Sequence, residues 1–146
     1  MLFSEARSHK VMSTQSATTV AKVAGFIVDP AGPRVLALRL AKTHGNGDTL
    51  HWEDLVGFGP DAVTVAGEDA LTTARGRAAE LSGKQFELLG KRVLDDRGDE
   101  VGQVQDLDFD PETGAITIVL TSQGPIEGDR LIGCGSYAVV VNAAPA

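Results

Sequence analysis

The sequence predicts an all-β protein in which one small unit is built twice, and three observations support that expectation. The stretch LVGFGPDAVTV, from Leu55 to Val65, lies without a gap on LIGCGSYAVVV, from Leu131 to Val141, with Leu, Gly, Gly, Ala, Val and Val shared. Upstream, GFIVDPAGPRVLAL from Gly25 to Leu38 lies on DLDFDPETGAITIV from Asp106 to Val119, so that Asp29-Pro30 coincides with Asp110-Pro111. Throughout both halves, short runs rich in Val, Ile and Thr are punctuated by Gly, Pro, Asp and Asn, as strands are by turns.

The offset between the copies is 81 residues over the Asp-Pro segment and 76 over the Gly-rich phrase. The difference places extra residues of the first copy in the loop LAKTHGNGDTLHW. Val20 and Val23 fall on Val101 and Val104, and HKVMS falls on KRVLD after one residue of slippage, so the repeat reaches back nearly to the start. Each copy then spans roughly 60 to 65 residues, a size at which a lone core is marginal. The copies are therefore expected to pack on one another with approximate twofold symmetry, as a fused counterpart of a homodimer.

The elements follow from local chemistry. DPETG is a hairpin turn, because Pro111 presets φ and Gly114 can adopt a positive φ; DPAGPR does the same in the first copy. Val104 lies on even parity whereas Leu107 and Phe109 lie on odd, so strict alternation breaks at Gln105-Asp106. The same break separates Val23 from Phe26 and Val28, with Gly25 in the gap. A β-bulge is expected at both places, since one extra residue re-phases a strand without losing its inward face. Between the copies, GEDALTTARGRAAELSG sets Leu71, Ala74, Ala78 and Leu81 at spacings of three and four before Gly83, which predicts a short connecting helix. The organisation expected is a first domain over 1–66, a helical linker over 67–83 and a second domain over 84–146.

Composition narrows the function. With 42% hydrophobic residues and a mean hydropathy near zero, the 146-residue chain is globular in type. It holds no apolar run of the roughly 20 residues a bilayer requires, so no integral membrane segment is expected and a cytoplasmic location follows. The formal charge is −7, and residues 83–146 carry eleven acids against five bases. The scattered bases disfavour nucleic acid as a partner. The single cysteine, Cys134, occupies the column of Phe58 and reads as a small buried hydrophobe.

The second copy also carries a recognisable pattern: Gly90 before the first strand, Val93, the acidic turn from Asp95 to Gly98, VGQVQDLDFD from Val101 to Asp110, and Thr113-Gly114. It resembles the PRC-barrel, a small β-barrel found in a ribosome-maturation factor, in the H subunit of purple-bacterial photosynthetic reaction centres and in free-standing bacterial proteins. The first copy is more degenerate, with Ser8 where Gly90 stands and no glycine in the turn of STQSATTVAKVAG. The resemblance implies two tandem PRC-barrel-like barrels joined by a short helix. It also implies a non-catalytic, cofactor-free module that binds another protein or oligomerises.

Asp106, Asp108, Asp110 and Glu112 alternate along one strand, but an EF-hand count from Asp106 puts Pro111 and Thr117 where Gly and Glu are needed. They read as a solvated face with Asp110 capping the turn, as an acidic patch for a basic partner, or as the carboxylates of a metal-binding hydrolase. His44, Asp48, His51 and Glu53 lack a metal-ligand spacing. There is no nucleophile elbow and no phosphate-binding glycine loop. Trp52, the only tryptophan, is a candidate partner anchor or a residue packed between the copies. The function expected is protein binding or scaffolding, with Trp52, Asp106, Asp108 and Asp110 as candidate contacts; complex assembly on a basic protein and a carboxylate-based hydrolase are the alternatives.

Overall fold

A computed structural model describes residues 1–43 and 47–143. The chain is all-β and forms two six-stranded, barrel-like units. The first holds β1 (Lys10–Ser13), β2 (Thr18–Asp29), β3 (Arg34–Ala41), β4 (Thr49–His51), β5 (Gly57–Phe58) and β6 (Ala62–Val65). The second holds β7 (Arg92–Asp95), β8 (Glu100–Phe109), β9 (Ile116–Thr121), β10 (Gly124–Glu127), β11 (Leu131–Cys134) and β12 (Val139–Val141). Their strand orders, β4-β3-β2-β1-β6-β5 and β10-β9-β8-β7-β12-β11, are the same order six strands apart. In each unit the first and last strands pair in parallel, with Val11 opposite Val63 and Val93 opposite Val139.

Both expected bulges are present. The β2–β3 ladder slips between Val23 and Gly25, and the β8–β9 ladder slips between Val104 and Asp106. Each slip lets two differently phased apolar sets face one core: Val104, Leu107 and Phe109 are buried, as are Val23, Phe26 and Val28. A second pair of slips, at Ile27/Val28 and Asp108/Phe109, recurs at equivalent positions. Alternation alone does not flag these, because they fall at the strand ends.

The degenerate copy keeps the backbone of the other without its glycines. Ser8 adopts φ 79° where Gly90 has 83°, and Ala17 adopts φ 56° where Gly98 has 88°. The left-handed conformation costs a non-glycine residue on the order of 1–2 kcal/mol, so the fold imposes these turns against local preference.

One apolar core runs through both units, from Val11, Val35, Leu50 and Val63 to Val93, Leu107, Val119 and Val139. The units meet about a local twofold. Arg34 and Ala115, which occupy the same column of the repeat, form an antiparallel bridge. On either side the Val35 amide donates to the Gly114 carbonyl (2.8 Å) and the Ile116 amide donates to the Pro33 carbonyl (2.9 Å), two bonds that the repeat interchanges, since Val35 corresponds to Ile116 and Pro33 to Gly114. A contact that repeats itself when the two copies are exchanged is the signature of an isologous arrangement.

Two short helices depart from the repeat. Helix α1 (Phe3–Ala6) rides on β8 of the other unit, where Leu2 bridges Asp108 and the Phe109 amide donates to the Met1 carbonyl. The connecting helix α2 covers only Gly76–Glu80, and Leu71 and Ala74 lie outside it. The spacing misled because its apolar residues serve two cores. Leu71 joins the main one, whereas Ala78 and Leu81 cover Ile27 and Ala37 on the outer face of the first unit. Between them Thr72 exchanges both backbone hydrogen bonds with Thr49, and Gly76 takes φ 61°, so the helix starts late.

Candidate interaction site

The bulge at Gln105 turns Leu107 and Phe109 inward and leaves Asp106, Asp108 and Asp110 on the opposite face, each half-exposed. Asp106 and Asp108 are engaged by the chain's own first residues. Asp106 accepts from the Ser4 amide (3.2 Å) and the Ser4 hydroxyl, and Asp108 pairs with the Met1 amine at 2.7 Å. Asp110 accepts from the Glu112 amide (2.8 Å) and its carbonyl takes the Gly114 amide (2.7 Å), which closes the expected turn. The three carboxylates thus do separate jobs. Among the described residues no group of three or more His, Cys, Asp and Glu side chains is gathered to hold a metal ion. His44 lies outside the described residues. His51 is buried, with its Nε2 accepting the Arg75 amide at 3.3 Å, and Glu53 pairs with the Arg75 guanidinium at 3.1 Å.

Trp52 sits at the seam between the units, on a 3-10 turn over Trp52–Asp54. Its ring stacks on Phe58 (5.9 Å, 23°) and meets the edge of Phe109 (6.4 Å, 87°). The same Phe109 ring contacts Phe3 at 5.5 Å, Phe26 at 5.6 Å and Phe58 at 5.4 Å, so a ring of the second unit is surrounded by aromatic groups from the first half of the chain. Gly114 lets the indole lie flat on the Asp110 turn: a Cβ there would stand 3.1 Å from the indole Cε2. Trp52 and the Asp110 turn are therefore brought together, while Asp106 and Asp108 face α1.

The half-buried Trp52 also lines a groove of about 300 Å³ with Leu55, Val56, Phe58, Pro111 and Glu112, drawn from both units. Val56 is 61% exposed at its rim, and its counterpart Ile132, at the bulge of β11, is 40% exposed. These two residues share a column of the repeated phrase, the signal by which sequence reasoning could have found them. Val56 directly precedes the edge strand β5 and Ile132 lies in the edge strand β11, so each copy holds an aliphatic side chain in water at the same place.

Cys134 corrects its expected burial. It is half-buried on the edge strand β11, packed against the main core on one side and beside Lys91 and the Gln85 and Glu87 carbonyls on another. Desolvation holds the thiol above its ordinary pKa and outweighs the Lys91 ammonium, whose Nζ lies 3.6 Å from Sγ.

No helix among the described residues is long and apolar enough to cross a membrane. No curated protein matches the chain. Residues 84–143 match the family model of the PRC-barrel domain, which spans the whole second sheet. The second unit is therefore PRC-barrel-like, and ahead of it in the chain stands a unit of the same strand order.

Proposed function

We propose that the protein is a non-catalytic module that binds another protein, with the groove at the seam as its contact surface. The observation that carries this reading is the placement of Val56 at the mouth of a groove floored by Trp52 and closed by Pro111 and Glu112 of the other unit. An exposed aliphatic beside a half-buried tryptophan is the composition of an interface centre, where large rings supply area at small entropic cost. The PRC-barrel match supports the same class of role. Val56→Glu tests it, because the side chain is exposed and the fold does not depend on it. In a quantitative pull-down from the source organism, one stoichiometric partner retained by the wild type and lost by Val56→Glu is the expected result. Failure to retain any partner, with transient complexes cross-linked, overturns the reading.

A second reading is favoured by charge: the excess of six negative charges in residues 83–146 suits a basic partner, as in assembly on a ribosomal protein. Such a complex dissociates as salt is raised past the physiological range, whereas a contact centred on Val56 and Trp52 holds.

A further inference from the structure

We propose that Lys10, Lys22 and Lys42 form a binding site for a small, multiply charged phosphate anion. Lys10 and Lys22 are directly opposite across the β1–β2 ladder, and Lys42 follows Ala41, the residue opposite Lys22 on β3. The three side chains, with Thr19 and Ala21, line a pocket of about 290 Å³. Among the described residues none of the three lysines takes part in an ion pair or a side-chain hydrogen bond. Like charges set directly opposite on a sheet repel, so this arrangement costs stability unless an anion joins it.

The second unit supplies the comparison. Its equivalent groove is lined by Arg92, Glu100, Gly102, Gln103, Gln123 and Tyr137, among others. There Arg92 stands for Lys10, Gln103 for Lys22, Gln123 for Lys42 and Glu100 for Thr19. Arg92 is neutralised in place by Glu100 at 2.6 Å, and its guanidinium lies 5.2 Å from the Tyr137 ring centre. The first unit has thus lost the acid and gained two cations on the same frame. One acid adjoins the groove in the register: Asp61, the counterpart of Tyr137, stands beside Ala62, which pairs with Lys10, and it makes no ion pair within 4 Å among the described residues.

Three ammonium groups around a small pocket match an anion of two or more charges with several acceptor oxygens. Lysine binds phosphate in this way, as a point charge on a flexible stem. A single carboxylate would leave two of the three charges uncompensated.

The test is a titration of the uniformly 15N-labelled protein with sodium pyrophosphate and with orthophosphate, followed by two-dimensional NMR at low and high salt. The expected result is a saturable shift confined to Lys10, Thr19, Ala21, Lys22 and Lys42 and weakened by salt. Lys22→Gln should lower pyrophosphate affinity by about tenfold or more, as loss of one charge-assisted contact requires. Lys10→Gln should do the same, Asp61→Asn should raise affinity, and Arg92→Gln should leave it unchanged. Spectra of the free variants report whether each is folded. No saturable shift, shifts centred on the Arg92 groove, or citrate binding as tightly as pyrophosphate would overturn the assignment.

Discussion

Replacing Phe109 with alanine is expected to weaken both units together. The ring is 1% exposed and touches Phe3, Phe26, Trp52 and Phe58, which belong to the first unit or to helix α1 ahead of it. Truncating a buried phenylalanine costs about 3–5 kcal/mol, and the several edge-to-face contacts place this site toward the upper end. For a chain of this size, each kcal/mol lowers Tm by roughly 2–4 °C, so a loss of about 5 kcal/mol lowers it by roughly 10–20 °C. Trp52, the only tryptophan, lies in the first unit and reports on the seam, whereas far-UV circular dichroism reports on both sheets. Urea unfolding followed by the two signals should give one coincident transition, displaced equally by Phe109→Ala. If the Trp52 transition stays where it was while circular dichroism splits into two steps, the units fold independently and the shared core has been misjudged.

Other expectations are simpler to state. Gly90→Ala should cost about 1–2 kcal/mol in urea unfolding, because φ 83° is unfavourable for alanine. Ser8→Gly should be neutral or stabilising by up to about 1 kcal/mol, since relief of strain is offset by the greater freedom of unfolded glycine. Deleting Gln105 removes the re-phasing residue and turns either Val104 or Leu107 and Phe109 outward, so soluble, cooperatively unfolding protein should be lost. Cys134 should react with iodoacetamide near neutral pH more slowly than the same thiol in urea-unfolded protein, and more slowly still in Lys91→Gln. Because its folded pKa is raised, the folded state holds that proton more tightly, and the corresponding stability declines as pH rises through the thiol's ordinary range and beyond. A folded thiol that reacts as fast as the unfolded one would contradict this.

Much of the architecture was legible because the chain states it twice. Each bulge at Val23/Gly25 and Val104/Asp106 could be read from parity, and finding the same break in both copies made it a property of the unit. The connecting helix was only partly legible. Leu71 and Ala78 share a helical spacing but belong to different cores, and spacing carries no information on which core a residue joins. The hold of Ser4 and Met1 on Asp106 and Asp108 was hidden because it spans a hundred residues of sequence with no pattern of its own. The lysine groove escaped notice for a related reason. Lys10, Lys22 and Lys42 are far apart in a list of scattered bases and become neighbours only through the β1–β2–β3 register.

The bridge between Arg34 and Ala115 has a further consequence. In a dimer of two identical chains, a residue on the twofold axis must tolerate itself. An arginine there would face an arginine, and a tryptophan at position 52 would bring a second one to the same seam. In this chain Arg34 faces alanine, and the column that holds Trp52 in the first copy holds Gly128 in the second. Joining the copies in one polypeptide removes the requirement of self-compatibility at every such position. One half can then carry a bulky ring or an unpaired charge while the other supplies the space or the neutrality that it needs.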